Sequence, residues 1–244
     1  MKRLATGTMA LALAAEVAGS AVAQNRPAPA AQDTRPGLAI VDFDIGATIG
    51  QDPDDYQALR RGLASMTLNE MTANPGIRVV ERAQLQSILQ EQNLGREGRV
   101  DPSTVSQIGR LVGARYMVTG TLYDIRGDVR VDARLFNTET GEILRTMRVQ
   151  GRLDNVFEMV ENLARQLMSG ANLPPLERRA SEEFRQQNPA PPTQAVMAYS
   201  RAILYADRGD TERAVEQYRR ALTAFPTYTQ ARSECNRLQA GACS

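Results

Sequence analysis

The chain has 244 residues, with 29 Lys and Arg against 28 Asp and Glu for a formal net charge of +1, and 42% hydrophobic but only 5% aromatic residues. That length suffices for one sizeable core and a smaller satellite, and the charge balance provides no field to gather nucleic acid. His is absent and Lys2 is the only Lys, which excludes a His general base, a Ser-His-Asp triad, His metal ligation, a Schiff-base Lys and a phosphate-binding P-loop Lys.

At the N-terminus Lys2 and Arg3 precede a small and apolar run, Leu4 to Val22, that closes on Ala21-Val22-Ala23 before Gln24. A basic start, an apolar centre and an A-x-A end predict a signal peptide over 1–23, cleaved after Ala23, and so an exported protein. No later stretch reaches the roughly 18 apolar residues of a transmembrane helix. Residues 24–36, rich in Pro, Ala, Gln and Asn, cannot bury a core and read as a flexible leader.

A folded domain is expected over 37–171. Gly37 to Phe43 suits a buried strand, and a helix follows, with Asp52 and Asp54 as caps, Asp55 near its positive end and Tyr56, Leu59, Leu63 and Met66 at helical spacing. Asn74-Pro75-Gly76 breaks the chain before strand-like Ile77 to Val80, and Leu85, Ile88 and Leu89 mark the face of a second helix. Asp101 and Pro102 open a third helix, Val105, Ile108, Leu111 and Val112 line its face, and Gly113 stands where a left-handed residue ends it. Strands over Tyr116 to Ile125, Val129 to Asn137 and Ile143 to Gln150 predict an antiparallel meander, turning at Arg126-Gly127-Asp128 and at Thr138-Glu139-Thr140-Gly141. In its middle strand Val129, Val131, Ala133 and Leu135 alternate with Arg130, Asp132 and Arg134, so one face is buried and the other wet. Val156, Val160, Leu163 and Leu167 mark a closing helix. The predicted class is α+β, a sandwich-like domain with helices on a mixed sheet, plus a small all-α C-terminal unit.

Residues 172–192 read as a Pro-bounded, charged linker with helical character around Glu177 to Gln187. Over 193–244, Ala195, Ala198, Tyr199, Ala202 and Tyr205 line one helix, Gly209 and Asp210 turn the chain, and Ala214, Tyr218, Ala221 and Leu222 line the next, which Pro226 ends. A third helix is expected from about Tyr228. Cys235 and Cys243 lie close enough in sequence for a short-loop disulfide in an oxidising compartment, or stand as two independent thiols.

Chemistry-bearing candidates are few. Asp42 and Asp44, two apart at a strand end, could hold a metal or form an acid and base pair; with no third ligand nearby in sequence, a structural or capping role is the better reading. Arg126-Gly127-Asp128 reads as a hairpin turn rather than an adhesion tripeptide, and Arg201, Arg208, Arg213, Arg219 and Arg220 read as a solvated face. No catalytic residue, cofactor or metal is predicted.

The stretch from Arg78 to Gly95 (RVVERAQLQSILQEQNLG), followed by Val100 to Leu122 and then Val131 to Leu144 (VDARLFNTETGEIL), resembles the curli assembly and transport component CsgG family, in order and spacing across 37–171. The resemblance implies an α/β periplasmic domain without enzymatic activity, used by envelope proteins that include the oligomeric curli secretion channel and lipoprotein activators of penicillin-binding proteins. It implies binding to components of surface assembly, secretion or wall synthesis, self-association, and an address in the periplasm or at the outer membrane. A ring-forming channel subunit and a regulator of a peptidoglycan synthase are the alternatives it carries. No Cys lies near Ala23, so a lipid anchor does not carry over, and the Arg-bearing strands with tight turns lack the apolar alternation of lipid-facing hairpins. Residues 193–239 are similar to a tetratricopeptide repeat, which implies a partner-binding groove at Tyr199, Tyr205, Tyr218, Arg201 and Arg208. One repeat is too few to stand alone, so it is expected to cap the main domain, self-associate or receive a partner segment.

Overall fold

The computed structural model describes residues 33–50, 52–91, 102–169, 173 and 178–243. The expected signal peptide, most of the leader, the Asp101 cap and part of the linker lie outside the described residues. In chain order the elements are β1 (Gly37–Ile40), β2 (Asp44–Ile49), α1 (Pro53–Met71), β3 (Arg78–Val79), α2 (Arg82–Glu91), α3 (Pro102–Val112), β4 (Tyr116–Ile125), β5 (Asp128–Asn137), β6 (Ile143–Arg152), α4 (Val156–Met168), α5 (Arg178–Gln187), α6 (Thr193–Asp207), α7 (Thr211–Ala224) and α8 (Thr229–Leu238).

The strands form one mixed sheet in the order β3-β1-β4-β5-β6. β1 lies parallel to both β3 and β4, whereas β4, β5 and β6 form the expected antiparallel meander. The β4–β5 turn is a two-residue hairpin loop in which Arg126 (φ 57°) and Gly127 (φ 86°) both take positive φ, closing on the Ile125–Asp128 pair. Two left-handed residues match the strand twist, which is why a Gly stands there. Gly113 (φ 65°) ends α3 in the left-handed region, where a Cβ would be strained.

Alternation along the strands gives the sheet two covered faces. On one, Leu38, Ile40, Val118, Leu122, Val131, Leu135 and Met147 pack with Leu59 and Leu63 of α1 and Val160 and Leu163 of α4. On the other, Ala39, Val41, Met117 and Phe136 meet Leu85 and Leu89 of α2 and Val105, Ile108 and Val112 of α3. Each fully buried Leu contributes roughly 1.5–3 kcal/mol through removal of apolar surface from water. The α+β expectation, with helices on a mixed sheet, therefore holds.

One strand is added to the expected elements and one local expectation is corrected. Residues 44–49 form β2, which continues the line of β1 along β4 across a register shift between Ile45 and Thr48. Gly46 and Ala47 have weak strand propensity, and pairing with β4 supplies what local sequence does not. Leu111, expected on the buried face of α3, is 48% exposed, because Val105, Ile108 and Val112 already fill the stripe against the sheet.

The chain from Thr34 onward forms one compact unit that includes α6 to α8. α6 lies along α1, and the approach is close: a Cβ built on Gly62 would sit 1.8 Å from Ser200 Oγ. Ala202 and Ala214, both fully buried, allow α6 and α7 to pack together. The linker segment is helical over Arg178–Gln187.

Candidate functional site

Asp42 closes the end of β1 inside an ion network. Its carboxylate, 8% exposed, accepts from Arg82 Nε at 2.9 Å and Nη2 at 2.8 Å. The same guanidinium donates to Asp207, at the C-terminal end of α6, at 3.0 and 2.6 Å, and Arg61 Nε of α1 donates to Asp207 at 3.0 Å. Burial alone would raise the Asp207 carboxyl, but the hydrogen bonds and charges of Arg82 and Arg61 outweigh it and hold the group below the usual carboxylate range. Burial likewise opposes the charge on Arg82, and Asp42 and Asp207 reverse that, keeping it protonated. Asp42, a candidate metal or acid–base residue by sequence, is thus consumed in a two-carboxylate, two-arginine cluster joining β1, α1, α2 and α6. Asp44 opens β2 opposite Thr121 and has a partner of its own. Among the described residues no group of three or more Cys, Asp or Glu is placed to hold a metal ion.

The proposed groove residues are also engaged within the chain. Arg201 Nε donates to Asp55 at 2.7 Å and Arg208 Nη2 to Asp54 at 3.0 Å, so both basic residues grip the acidic first turn of α1. The Arg208 hydrogen bond and charge lower the Asp54 carboxyl. Tyr199 is fully buried and Tyr218 is 3% exposed. Their hydroxyls donate to Glu234 of α8 at 2.8 and 2.9 Å. With its proton committed to Glu234, Tyr199 accepts from Ser65 of α1 at 2.7 Å, and Gln230 reaches Ser65 Oγ at 3.1 Å. Burial first, and the Glu234 charge second, push both phenols up, so they remain donors. Tyr205 is half-buried under the Arg213 guanidinium, 4.7 Å from its ring centroid. Arg201, Arg208 and Tyr199 therefore tie α6 to α1, whereas Tyr205 and Tyr218 contact α7 and α8 within the C-terminal helices. Cys235 and Cys243 form a disulfide with Cα atoms 6.0 Å apart, which ties the tail to α8.

Two adjoining clefts, one of about 380 Å³ between α1 and α8 and one of about 510 Å³ between α2 and α6 to α8, share Arg82, Glu234 and Arg237. Their charged walls are paired internally, as in Arg237 with Glu81 at 3.4 Å. The remaining feature is the face of β4, β5 and β6 opposite the α1 and α4 core. It displays four cross-strand rows, Thr119–Arg134–Thr146, Thr121–Asp132–Arg148, Tyr123–Arg130–Gln150 and Ile125–Asp128–Arg152. Arg134 and Thr146 are exposed, Arg148 is 62% exposed and Arg152 59%. Asp132 pairs with Arg130 at 3.1 Å and Arg148 at 2.7 Å, Asp128 pairs with Arg152 at 3.0 Å, and Arg130 stacks 4.3 Å from the Tyr123 centroid. This face is exposed at Arg134, Thr146, Arg148 and Arg152 and exposed or partly exposed elsewhere, and its aspartates pair with its own arginines.

Sequence reading missed Arg61, Arg82, Asp207, Ser65 and Glu234. Their partners lie 125 or more residues away for the Arg82–Asp207 contact, and 134 for Ser65 with Tyr199, and no local pattern signals such pairings.

Comparison with known proteins adds a family match. The model of the family described as curli production assembly/transport component CsgG matches residues 23–125. Among solved structures the chain is similar to the LpoB C-terminal domain from Salmonella enterica, with 19% identity, a TM-score of 0.37, and 48% of this chain and 82% of that one covered. It is also similar to Escherichia coli LpoB, at 16% identity, a TM-score of 0.38, and 59% and 82% coverage. The PelC dodecamer from Paraburkholderia phytofirmans is similar at 16% identity, a TM-score of 0.30, and 56% and 89% coverage. No curated protein matches. Among the described residues no helix is long and apolar enough to cross a membrane.

Proposed function

We propose that this is an exported, non-enzymatic envelope protein that acts by binding other envelope proteins in surface assembly, secretion or wall synthesis. The observation that carries the reading is the CsgG family match over residues 23–125, in a chain that begins with the pattern of a signal peptide. The site chemistry supports it: the buried Asp42 and half-buried Asp207 carboxylates and the buried phenols Tyr199 and Tyr218 are each held by a partner that keeps the fold together. In this reading the C-terminal helices brace α1 and α2, and the partner surface lies elsewhere.

The meander argues against membrane hairpins among the described residues. One face of β5 is core and the other carries Arg130, Asp132 and Arg134, which leaves no lipid-facing row. The test is crosslinking in intact cells that express the tagged full-length chain, followed by capture and identification of the adducts. Adducts with envelope proteins are expected. Adducts confined to cytosolic proteins would overturn the reading, and a detergent-requiring ring in light scattering would favour a channel subunit.

A further inference from the structure

The face of β4, β5 and β6 opposite the α1 and α4 core carries a regular charge pattern. Each of the four rows described above carries one Arg, and the arginines alternate between strands: Arg134 on β5, Arg148 on β6, Arg130 on β5, Arg152 on β6. They form a zigzag along the β5–β6 seam. Successive rows on one face of a strand lie two residues apart, about 6.7 Å. Four arginines stand against two aspartates on this three-stranded face; Asp132 pairs with Arg130 and Arg148 and Asp128 with Arg152, which leaves two positive charges in excess. Arg134 is exposed. The surface therefore carries excess positive charge in a regular, one-dimensional array.

We propose that this seam is a docking track for an extended acidic segment of a partner protein, with Asp or Glu at alternate positions. An extended peptide places same-side side chains about 6.7 Å apart, the pitch of the arginine rows. Laid along the seam, each alternate carboxylate meets one guanidinium, whose planar fork suits a carboxylate in bidentate geometry. A helical partner matches this spacing less well, because its same-face residues recur on average about every 5.4 Å and fall about 4 Å out of step over four rows. The Tyr123 ring, 4.3 Å from the Arg130 guanidinium carbon, restrains that side chain, so less side-chain freedom is lost on binding. The proposal rests on the binding reading above and supplies the chemistry of the partner.

The test uses the mature full chain and a fluorescent, capped peptide of alternating Glu and Thr, about ten residues long to match the length of β5. Anisotropy is expected to show binding that weakens with added salt. The isosteric Gln and Thr peptide is expected not to bind. The double substitution Arg134→Gln with Arg148→Gln is expected to weaken binding roughly two- to thirty-fold, from two exposed ion pairs. Arg220→Gln, an exposed arginine on α7 that pairs with Glu216, is expected to leave it unchanged. A circular-dichroism melt establishes that the variants remain folded. Equal binding of the Gln peptide, an unchanged affinity in the double variant, or binding of a polygalacturonate oligosaccharide without binding of the Glu peptide would each overturn the proposal. Failure here with envelope adducts still found by crosslinking would discard the acidic track and leave the binding reading intact.

Discussion

Replacing Arg82 with Met should cost this protein a large part of its stability. Arg82 donates to two carboxylates at once, Asp42 at 2.9 and 2.8 Å and Asp207 at 3.0 and 2.6 Å, in a cluster where the side chains are 8–20% exposed. Met fills the aliphatic volume but leaves two partly buried carboxylates to share Arg61, which reaches Asp207 at 3.0 Å but Asp42 only at 3.8 Å. Breaking a buried pair from one side costs about 3–5 kcal/mol, and in a unit of this size each kcal/mol moves Tm by roughly 2–4 °C, so a fall of roughly 6–20 °C is expected. The pH dependence has a definite sign. Asp207 is held below its unfolded value, so its stabilisation is present above about pH 4 and is lost as pH falls through the lower folded value. The penalty of Arg82→Met should therefore shrink in acid. Urea unfolding followed by circular dichroism at neutral and acid pH measures this, and adding Asp207→Asn should recover part of the loss. A loss below about 1 kcal/mol at neutral pH, or a C-terminal segment melting separately in the unsubstituted protein, would refute the view that the cluster locks α6 onto α1 and α2.

Other substitutions probe separate parts of the fold. Burial, and then the negative charge of Glu161 against the weaker help of Arg185, raises the Glu70 carboxyl from 4.5 to about 7. An acid raised on folding favours the folded state when protonated, so stability should fall by about 3 kcal/mol as pH rises from 4.5 to about 7 and then level off. Glu70→Gln should remove that slope in a pH series of denaturation midpoints. Gly62→Ala should destabilise by about 1–3 kcal/mol despite the helix propensity of Ala, because its Cβ would meet Ser200 Oγ at 1.8 Å; pairing it with Ser200→Gly should restore most of the loss. Reducing the Cys235–Cys243 disulfide, which spans a sequence separation of 8, should cost at most about 2.5 kcal/mol, read as earlier hydrogen exchange in α8.

Where the sequence had a local signal, the fold was legible. Strict alternation along Val129 to Leu135 placed β5 with the correct faces, and the Arg126-Gly127 turn fixed its pairing with β4. β2 had no such signal, since Gly46 and Ala47 sit at a register shift and the residues on either side become strand by pairing with β4. The site was less legible, for a physical reason. A short, strand-end Asp42 looks the same in sequence whether it holds a metal, moves a proton or receives Arg82, and the choice is made by residues 40 and 165 positions away, Arg82 and Asp207. The aromatic and basic pattern of α6 and α7 suggested an open groove, but α1 offers Asp54, Asp55 and Ser65 to those groups, and they close on it. The arginine zigzag could be read only once the β5–β6 register was known, because Arg134 and Arg148 become neighbours through pairing alone.

The most direct measurement is fractionation of cells that express the full chain at native level, with the intact mass of the protein read from each fraction. The expected result is a form beginning at Gln24, found in the periplasm or with the outer membrane and recovered in complex with envelope proteins. A form that retains Met1 and resides in the cytosol would contradict the central claim.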